Sequence, residues 1–270
     1  MATSPLDQRD TEHIISQLND ATAPVLVRVL ADNDDPELCA NILILDPQLR
    51  DIALKRDVHI KWRVVIQADR LLLYAAAISN SRLRGAGVAE ICRQMGNWCV
   101  AFADGHLNSY CGCVERFGNC LAVPDCSMSG CLMADRHSLA IIELDVSTCT
   151  PTKFCEDLAA YSINRRALLG IKVGLDSTAA AVLWTWDSAG GLHQGYALDF
   201  GQIELPDATR AAFRHDALPD IAGWTRCCPP RTGWFSKKHD APVISVPVLD
   251  NVAPLQLDLA RIMRAITAML

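Results

Sequence analysis

The chain has 270 residues, of which half are apolar, 21% are charged and 6% are aromatic. This is the composition of an ordinary globular protein, and it excludes a collagen-like, low-complexity or largely disordered chain. The formal net charge is −6 at pH 7, from 25 Lys and Arg residues against 31 Asp and Glu residues. A protein that binds nucleic acid over its whole surface is therefore not expected, although a local basic face is compatible with the sequence.

Neither a secretory signal nor a membrane-spanning helix is expected from the sequence. No apolar run reaches the roughly 18 residues that a membrane-spanning helix needs. Residues 1–13 carry acids and lack the apolar stretch of a secretory signal. These features predict a protein that does not interact with a membrane and is located in the cytoplasm or the nucleus.

The chain has twelve cysteines. In a reducing compartment they are expected to be thiols or metal ligands rather than disulfides. Several of them cluster in one stretch of the sequence: Cys111, Cys113, Cys120, Cys126 and Cys131. Their spacing matches no familiar zinc motif, so zinc is not expected. Other cysteines have apolar neighbours and are interpreted as small buried hydrophobic residues: Cys92, Cys99, Cys149 and Cys155.

Charge is unevenly distributed along the N-terminal third. Residues 1–49 contain two basic residues and nine acids, whereas residues 50–93 contain nine basic residues and four acids. The basic segment is either a face for polyanions or a solvated surface whose charges pair with acids elsewhere in the fold.

The predicted elements of the first hundred residues are mainly helical. Residues 11–18 read as a short helix, residues 23–30 and 40–45 as strand or helix, and residues 32–36 as a break. Longer helices are predicted over residues 67–80 and 86–98.

From residue 99 the pattern becomes that of strands. Short apolar runs separated by turn residues predict strands at 99–103, 109–114 and 120–123. Further strands are predicted at 139–146, 168–173 and 179–186. Thr150 and Pro151 have the residue types of a helix N-cap and first turn, so a helix is expected from there to about residue 163. Residues 205–240 are expected to be mostly loop, and residues 255–269 an amphipathic helix.

This order of elements predicts an α/β (α+β) fold with a mixed central sheet flanked by helices. No linker rich in proline or serine divides the chain. We therefore expect one domain, in which residues 1–80 form an N-terminal extension, residues 82–190 the core, and residues 191–270 a C-terminal loop region with a closing helix.

Two acids lie on one face of the strand predicted at residues 139–146. Side chains alternate between faces along a strand, so Glu143 and Asp145 share one side. Acids on an apolar strand are costly to bury unless they reach water or bind a cation or a partner. If the strand that contains Asp125 pairs with this one, three carboxylates converge in the oxygen-rich site that Mg²⁺ or Mn²⁺ prefers. The alternative is a strand end whose acids point into solvent.

Four short motifs follow one another in this region: Pro124-Asp125, the strand Ile141–Ser147, the helical segment Glu156–Tyr161 and the strand Leu169–Val173. In this order they resemble the PD-(D/E)XK nuclease superfamily, which has the restriction-endonuclease-like fold. The resemblance covers roughly residues 82–190. It is greatest with a divergent eukaryotic branch of endonuclease-related proteins.

The resemblance implies Mg²⁺ or Mn²⁺ as cofactor, bound by Asp125 and Glu143, with Glu90 as a further ligand from the preceding helix. Asp145 is a further candidate catalytic residue. The superfamily has a Lys two residues after the Glu, where this chain has Asp145, and the related branch has it at the position of Asp157. Lys153, one helical turn earlier, either reaches the site in its place or pairs with Asp157.

Three functions are compatible with these observations. The first is a metal-dependent phosphodiesterase of nuclease type, whose basic segments at residues 50–93 and 226–238 meet the phosphates of a nucleic acid. The second is a nuclease fold repurposed as a biosynthetic or transfer enzyme, in which the same carboxylates act as acid and base on a small molecule. The third is a non-enzymatic interaction module, with a homodimer formed through the C-terminal helix.

Overall fold

The computed structural model describes residue 16 and residues 25–30, 58–66, 71–102, 107–113, 115–117, 120–130, 138–147, 150–159, 161, 165–186, 192–213 and 242–270. The chain divides into two compact units. One comprises Met1–Ser81 and Val114–Val123, and the other comprises Arg82–Cys113 and Pro124–Leu270. That the chain is a single domain stays a prediction.

The first unit contains an antiparallel sheet with the strand order β1-β3-β2-β6-β5. Strands β2 and β3 pair along all nine residues of each, from Val58 opposite Ser79 to Ile66 opposite Leu71. The strands are β1 (Val25–Leu30), β2 (Val58–Ile66), β3 (Leu71–Ser79), β5 (Glu115–Phe117) and β6 (Cys120–Ala122).

The helix predicted over residues 67–80 is wrong, because Leu71–Ser79 is a strand. The segment is rich in Leu and Ala and lacks the alternation of a half-buried strand, so periodicity alone favours a helix. Its backbone instead pairs with β1 on one side and β2 on the other. This pairing outweighs the helical preference of its alanines.

The second unit is built on a six-stranded sheet with the order β11-β10-β9-β8-β7-β4. Its neighbouring strands are antiparallel except β8 and β9, which run parallel. A separate hairpin pairs β12 with β13. The strands are β4 (Leu107–Cys111), β7 (Cys126–Gly130), β8 (Ala140–Asp145), β9 (Ala167–Val173), β10 (Ala179–Trp186), β11 (Leu192–Asp199), β12 (Val243–Val246) and β13 (Leu255–Asp258).

Helices accompany this sheet: α1 (Ser81–Phe102), α2 (Pro151–Ala159), α3 (Asp207–Ala212) and α4 (Leu259–Thr267). The mixed sheet with flanking helices confirms the predicted fold class and is consistent with a restriction-endonuclease-like α/β fold. No helix in the described part of the chain is both long and apolar enough to cross a membrane.

Three predicted boundaries need correction. Residues 99–102 are the last turn of α1 rather than a strand, since Trp98 and Cys99 continue its buried face. The C-terminal helix begins at Leu259, because residues 255–258 form β13 and the Asp258 side chain then accepts a hydrogen bond from the Arg261 amide. Helix α3 interrupts the loop expected at residues 205–240. Apart from residue 16, the element predicted at residues 11–18 lies outside the described residues, as do the element predicted at residues 40–45 and most of that loop.

Two glycines allow helices to lie directly on the sheet. A Cβ atom at Gly87 of α1 would collide with the Leu144 side chain of β8 and would lie 3.0 Å from the Ile266 side chain of α4. On the opposite face, a Cβ atom at Gly170 of β9 would collide with Leu158 of α2. The main core therefore lies between the sheet, α1 and α4, while α2 covers the other face near Glu143.

The contact at Gly87 can be tested by mutation. Gly87→Val should lower the free energy of unfolding by about 1–3 kcal/mol, because the new side chain overpacks the interface between α1 and β8. Gly85→Ala is the matched control, since Gly85 is exposed on the same helix and a Cβ atom there would meet nothing within 4 Å. Gly85→Ala should raise the free energy of unfolding by about 0.5–1 kcal/mol. Urea denaturation measures both values, and equal stability of Gly87→Val and wild type would contradict this packing.

Candidate functional site

The acids of β8 face away from the main core. Leu144 belongs to that core, whereas Glu143 and Asp145 project from the opposite side of the strand. In the parallel ladder Glu143 is level with Gly170, and Asp145 is level with Lys172. Glu143 is only 5% exposed. A carboxylate at this depth needs hydrogen-bond or ionic partners.

Asp125 lies beside Glu143, immediately before β7. Its backbone N–H donates to Glu143 Oε1 at 3.2 Å, and its own Oδ2 accepts a hydrogen bond from the Leu144 amide at 2.8 Å. The ladder between β7 and β8 ends where Cys126 meets Ile142, so Leu144 lies beyond it. Asp125 thus takes the place of a neighbouring strand for the Leu144 amide, while its own amide binds the Glu143 carboxylate.

Arg84 of α1 completes this arrangement. Its guanidinium forms a buried ion pair with Asp125, and its Nε donates to the Leu144 carbonyl oxygen at 3.1 Å. The Arg84 and Asp125 side chains are 5% and 3% exposed. Burial lowers the pKa of the Arg84 guanidinium, and the negative charge of Glu143 opposes that shift. Arg84 and Asp125 together therefore satisfy both backbone polar groups of Leu144.

Lys172 provides a second cation on the face that carries Glu143. Its Nζ lies 2.5 Å from Asp145 Oδ2 and 3.3 Å from the Ser147 carbonyl oxygen. The same atom is 5.8 Å from the centroid of the Phe154 ring of α2, within the range of a cation–π interaction. The side chains of Lys172 and Asp145 are mostly buried. The ammonium group is thus fixed by a carboxylate, a carbonyl oxygen and a ring.

Two predicted site residues form ion pairs with side chains of their own helices. Lys153 Nζ is 2.9 Å from Asp157 Oδ1, and both side chains are substantially exposed. This is the pairing that the sequence offered as the alternative to a role in the site. Glu90 accepts hydrogen bonds from Arg93 and from Gln94, and the bond from Arg93 lowers the pKa of its carboxyl group. A role for Glu90 as metal ligand stays a prediction.

Arg84 and Lys172 were not predicted as site residues. Lys172 has a signal in the sequence, since it is a single charge in the otherwise apolar strand Ala167–Val173. Arg84 has a weaker signal, one turn before Gly87 on the buried side of α1. Because Arg84 is buried, it does not belong to a surface for polyanions. Residues 226–238, the second predicted basic segment, lie outside the described residues.

Comparison with known proteins does not assign the chain to a family. No protein-family profile matches the sequence, and no curated protein does. A solved structure of a candidate nuclease of the DUF820 family from Anabaena variabilis is similar with a TM-score of 0.32 at 10% sequence identity. The similarity covers 48% of this chain and 80% of that chain. A likeness at this level is weak and carries no information about activity.

Removing one partner of the buried ion pair between Arg84 and Asp125 should lower the free energy of unfolding markedly. Arg84→Met leaves a buried carboxylate without its counter-ion and should lower the free energy of unfolding by about 3–5 kcal/mol. Arg93→Met is the matched control, because Arg93 pairs with Glu90 at the surface of the same helix and its loss should have little effect. Urea denaturation compares the two variants, and equal losses would contradict the assigned role.

A double-mutant cycle separates the pair from the general cost of altering α1. Arg84→Met and Asp125→Leu combined should be less destabilising than the two single changes added together, by about 1–3 kcal/mol. The reason is that the double variant buries no uncompensated charge. Strict additivity would show that the two side chains act independently.

Proposed function

We propose that the chain is a Mg²⁺- or Mn²⁺-dependent phosphodiester hydrolase of nuclease type that acts at Asp125, Glu143 and Asp145. The observation that carries this proposal is the position of Lys172. Its ammonium group reaches the carboxylate of residue 145, where the superfamily pattern would place a lysine. In this proposal the neighbouring strand supplies the cation that the sequence lacks at residue 145.

The donor groups have the chemistry that a hard divalent cation requires. Asp125 and Glu143 offer carboxylate oxygens, which Mg²⁺ and Mn²⁺ prefer over nitrogen or sulfur. The two residues are joined by the hydrogen bond from the Asp125 amide to Glu143 Oε1. Arg84 pairs with Asp125, and Lys172 pairs with Asp145.

Asp125 and Glu143 would hold the cation in this proposal. When bound, it would polarise a phosphate oxygen and make a water molecule more acidic. Lys172 would stabilise the negative charge that develops on the phosphate. Asp145, the Ser147 carbonyl oxygen and the Phe154 ring keep its ammonium group in one position, so little reorganisation would be needed during the reaction.

Arg84 would limit the affinity for the cation. Its guanidinium is paired with the same carboxylate, so a divalent ion at Asp125 shares that group with a buried positive charge.

The ion pair between Arg84 and Asp125 also supports a second candidate function, the repurposed enzyme. If Arg84 and the Leu144 amide occupy the Asp125 carboxylate so that it binds no metal, Glu143 and Asp145 would act as acid and base on a small molecule.

Lys172→Met should reduce the rate of metal-dependent cleavage about 10²–10³-fold, as expected when one charge-stabilising group is lost. Binding of Mn²⁺, measured by titration calorimetry, should persist in this variant because Lys172 is not a ligand. Lys153→Met is the matched control and should cleave like wild type, since Lys153 pairs with Asp157 on α2. The assay uses supercoiled DNA, single-stranded DNA and RNA, each with Mg²⁺ and with Mn²⁺.

Glu143→Gln should abolish both cleavage and cation binding, because it removes a proposed ligand while keeping the shape of the side chain. Circular dichroism verifies that each variant is folded. The proposal fails if the wild-type chain cleaves none of these substrates, or if Glu143→Gln cleaves at the wild-type rate. A wild-type chain that binds neither cation would favour the second candidate.

A further inference from the structure

A cluster of three cysteines lies next to the carboxylate site but takes no part in it. Among the residues that the structure describes, Cys92, Cys111 and Cys126 place their Sγ atoms within 4.8 Å of one another. Cys92 belongs to α1, Cys111 ends β4, and Cys126 begins β7. Cys92 and Cys111 form a disulfide, and Cys126 Sγ is 3.4 Å from Cys92 Sγ.

The backbone holds these residues together independently of the disulfide. Cys111 and Cys126 are direct partners in the antiparallel ladder between β4 and β7. Cys92 approaches them from a helix that packs on the same sheet. Its distance in sequence from the cluster explains why the spacing of Cys111, Cys113 and the later cysteines matched no zinc motif. The third sulfur atom comes from another element of the fold.

We propose that the reduced form of the chain binds one Zn²⁺ ion through Cys92, Cys111 and Cys126. Zinc–thiolate bonds are about 2.3 Å long, so tetrahedral coordination separates the sulfur atoms by about 3.8 Å. The three Sγ atoms already lie within 4.8 Å of one another, so opening the disulfide leaves only the Cys92 and Cys111 sulfur atoms to move apart. The disulfide joins only two of the three sulfur atoms, whereas a zinc ion would bind all three.

The exposure of the three residues suits a site that a cation enters from solvent. Cys126 is fully buried, Cys92 is partly buried and Cys111 is exposed. The exposed side leaves the fourth coordination position to water or to Cys113, which follows Cys111 after a glycine with a φ of +65°. Bound zinc would link α1, the helix that contains Arg84, to β7, which begins one residue after Asp125.

Reduction has to precede binding, and its chemistry is simple. A phosphine reductant supplies two electrons to the disulfide and takes up the oxygen of one water molecule. The two protons of that water complete the Cys92 and Cys111 thiols. Zinc then displaces the protons of the three thiols, which pass to the solvent, and a zinc–sulfur bond forms at each sulfur atom.

The test measures zinc per chain by mass spectrometry after anaerobic reduction with a phosphine, incubation with Zn²⁺ and gel filtration. Wild type should retain one ion that Cys111→Ala and Cys126→Ala lose. Cys99→Ala is the matched control, because Cys99 is buried on the same helix but outside the cluster. It should retain zinc. Cys111→Ala changes an exposed residue, so it keeps the test decisive even if Cys126→Ala fails to fold.

A second measurement identifies the ligands directly. Cobalt(II) in place of zinc should give wild type a thiolate-to-metal charge-transfer absorption, which should weaken in Cys111→Ala and stay unchanged in Cys99→Ala. The proposal is overturned if reduced wild type retains no zinc. It is also overturned if Cys111→Ala and Cys126→Ala retain zinc as wild type does, because the ion would then be held elsewhere. A chain that retains copper(I) but not zinc would equally contradict it.

Discussion

At its C-terminal end, β8 extends past the last residue that pairs with β7, and the backbone of Leu144 has to find other partners there. Asp125 accepts from its amide and Arg84 donates to its carbonyl oxygen, while the two side chains form a buried ion pair with each other. Buried backbone groups are almost always satisfied in folded proteins, so this constraint fixes both side chains. The position of α1, the conformation before β7 and the location of the Asp125 carboxyl group all depend on it.

The same constraint shapes the chemistry of the site. Asp125 is the acid that would bind a cation in a nuclease-like site, yet it already carries a structural ion pair. The site therefore combines three carboxylates with two buried or nearly buried cations, Arg84 and Lys172. The first cation faces Asp125 and the second faces Asp145. Asp125 and Asp145 therefore already have cationic partners, with which a bound divalent ion would have to share them.

The strand carrying Glu143, the helix that follows and the next strand could be predicted from the sequence, because caps, turns and apolar runs are local signals. The nine residues Leu71–Ser79 could not, since a run of Leu and Ala suits a helix until neighbouring strands are known. The position of Glu143 and Asp145 on one face follows from the alternation of side chains along a single strand. The place of Lys172 in the site becomes evident only from the register of two parallel strands, and that of Arg84 only from the packing of α1. Neither can be predicted from the spacing of residues in the sequence.

Mn²⁺-induced broadening of backbone amide signals in the NMR spectrum tests the central claim most directly. Manganese favours oxygen ligands, and its unpaired electrons broaden the signals of nearby amides. If Asp125 and Glu143 hold the cation, the amides of Asp125, Leu144 and Gly170 should broaden first, and Glu143→Gln should remove the effect. Broadening that begins near Glu90 or at other surface acids, with Leu144 and Gly170 unaffected, would contradict the account.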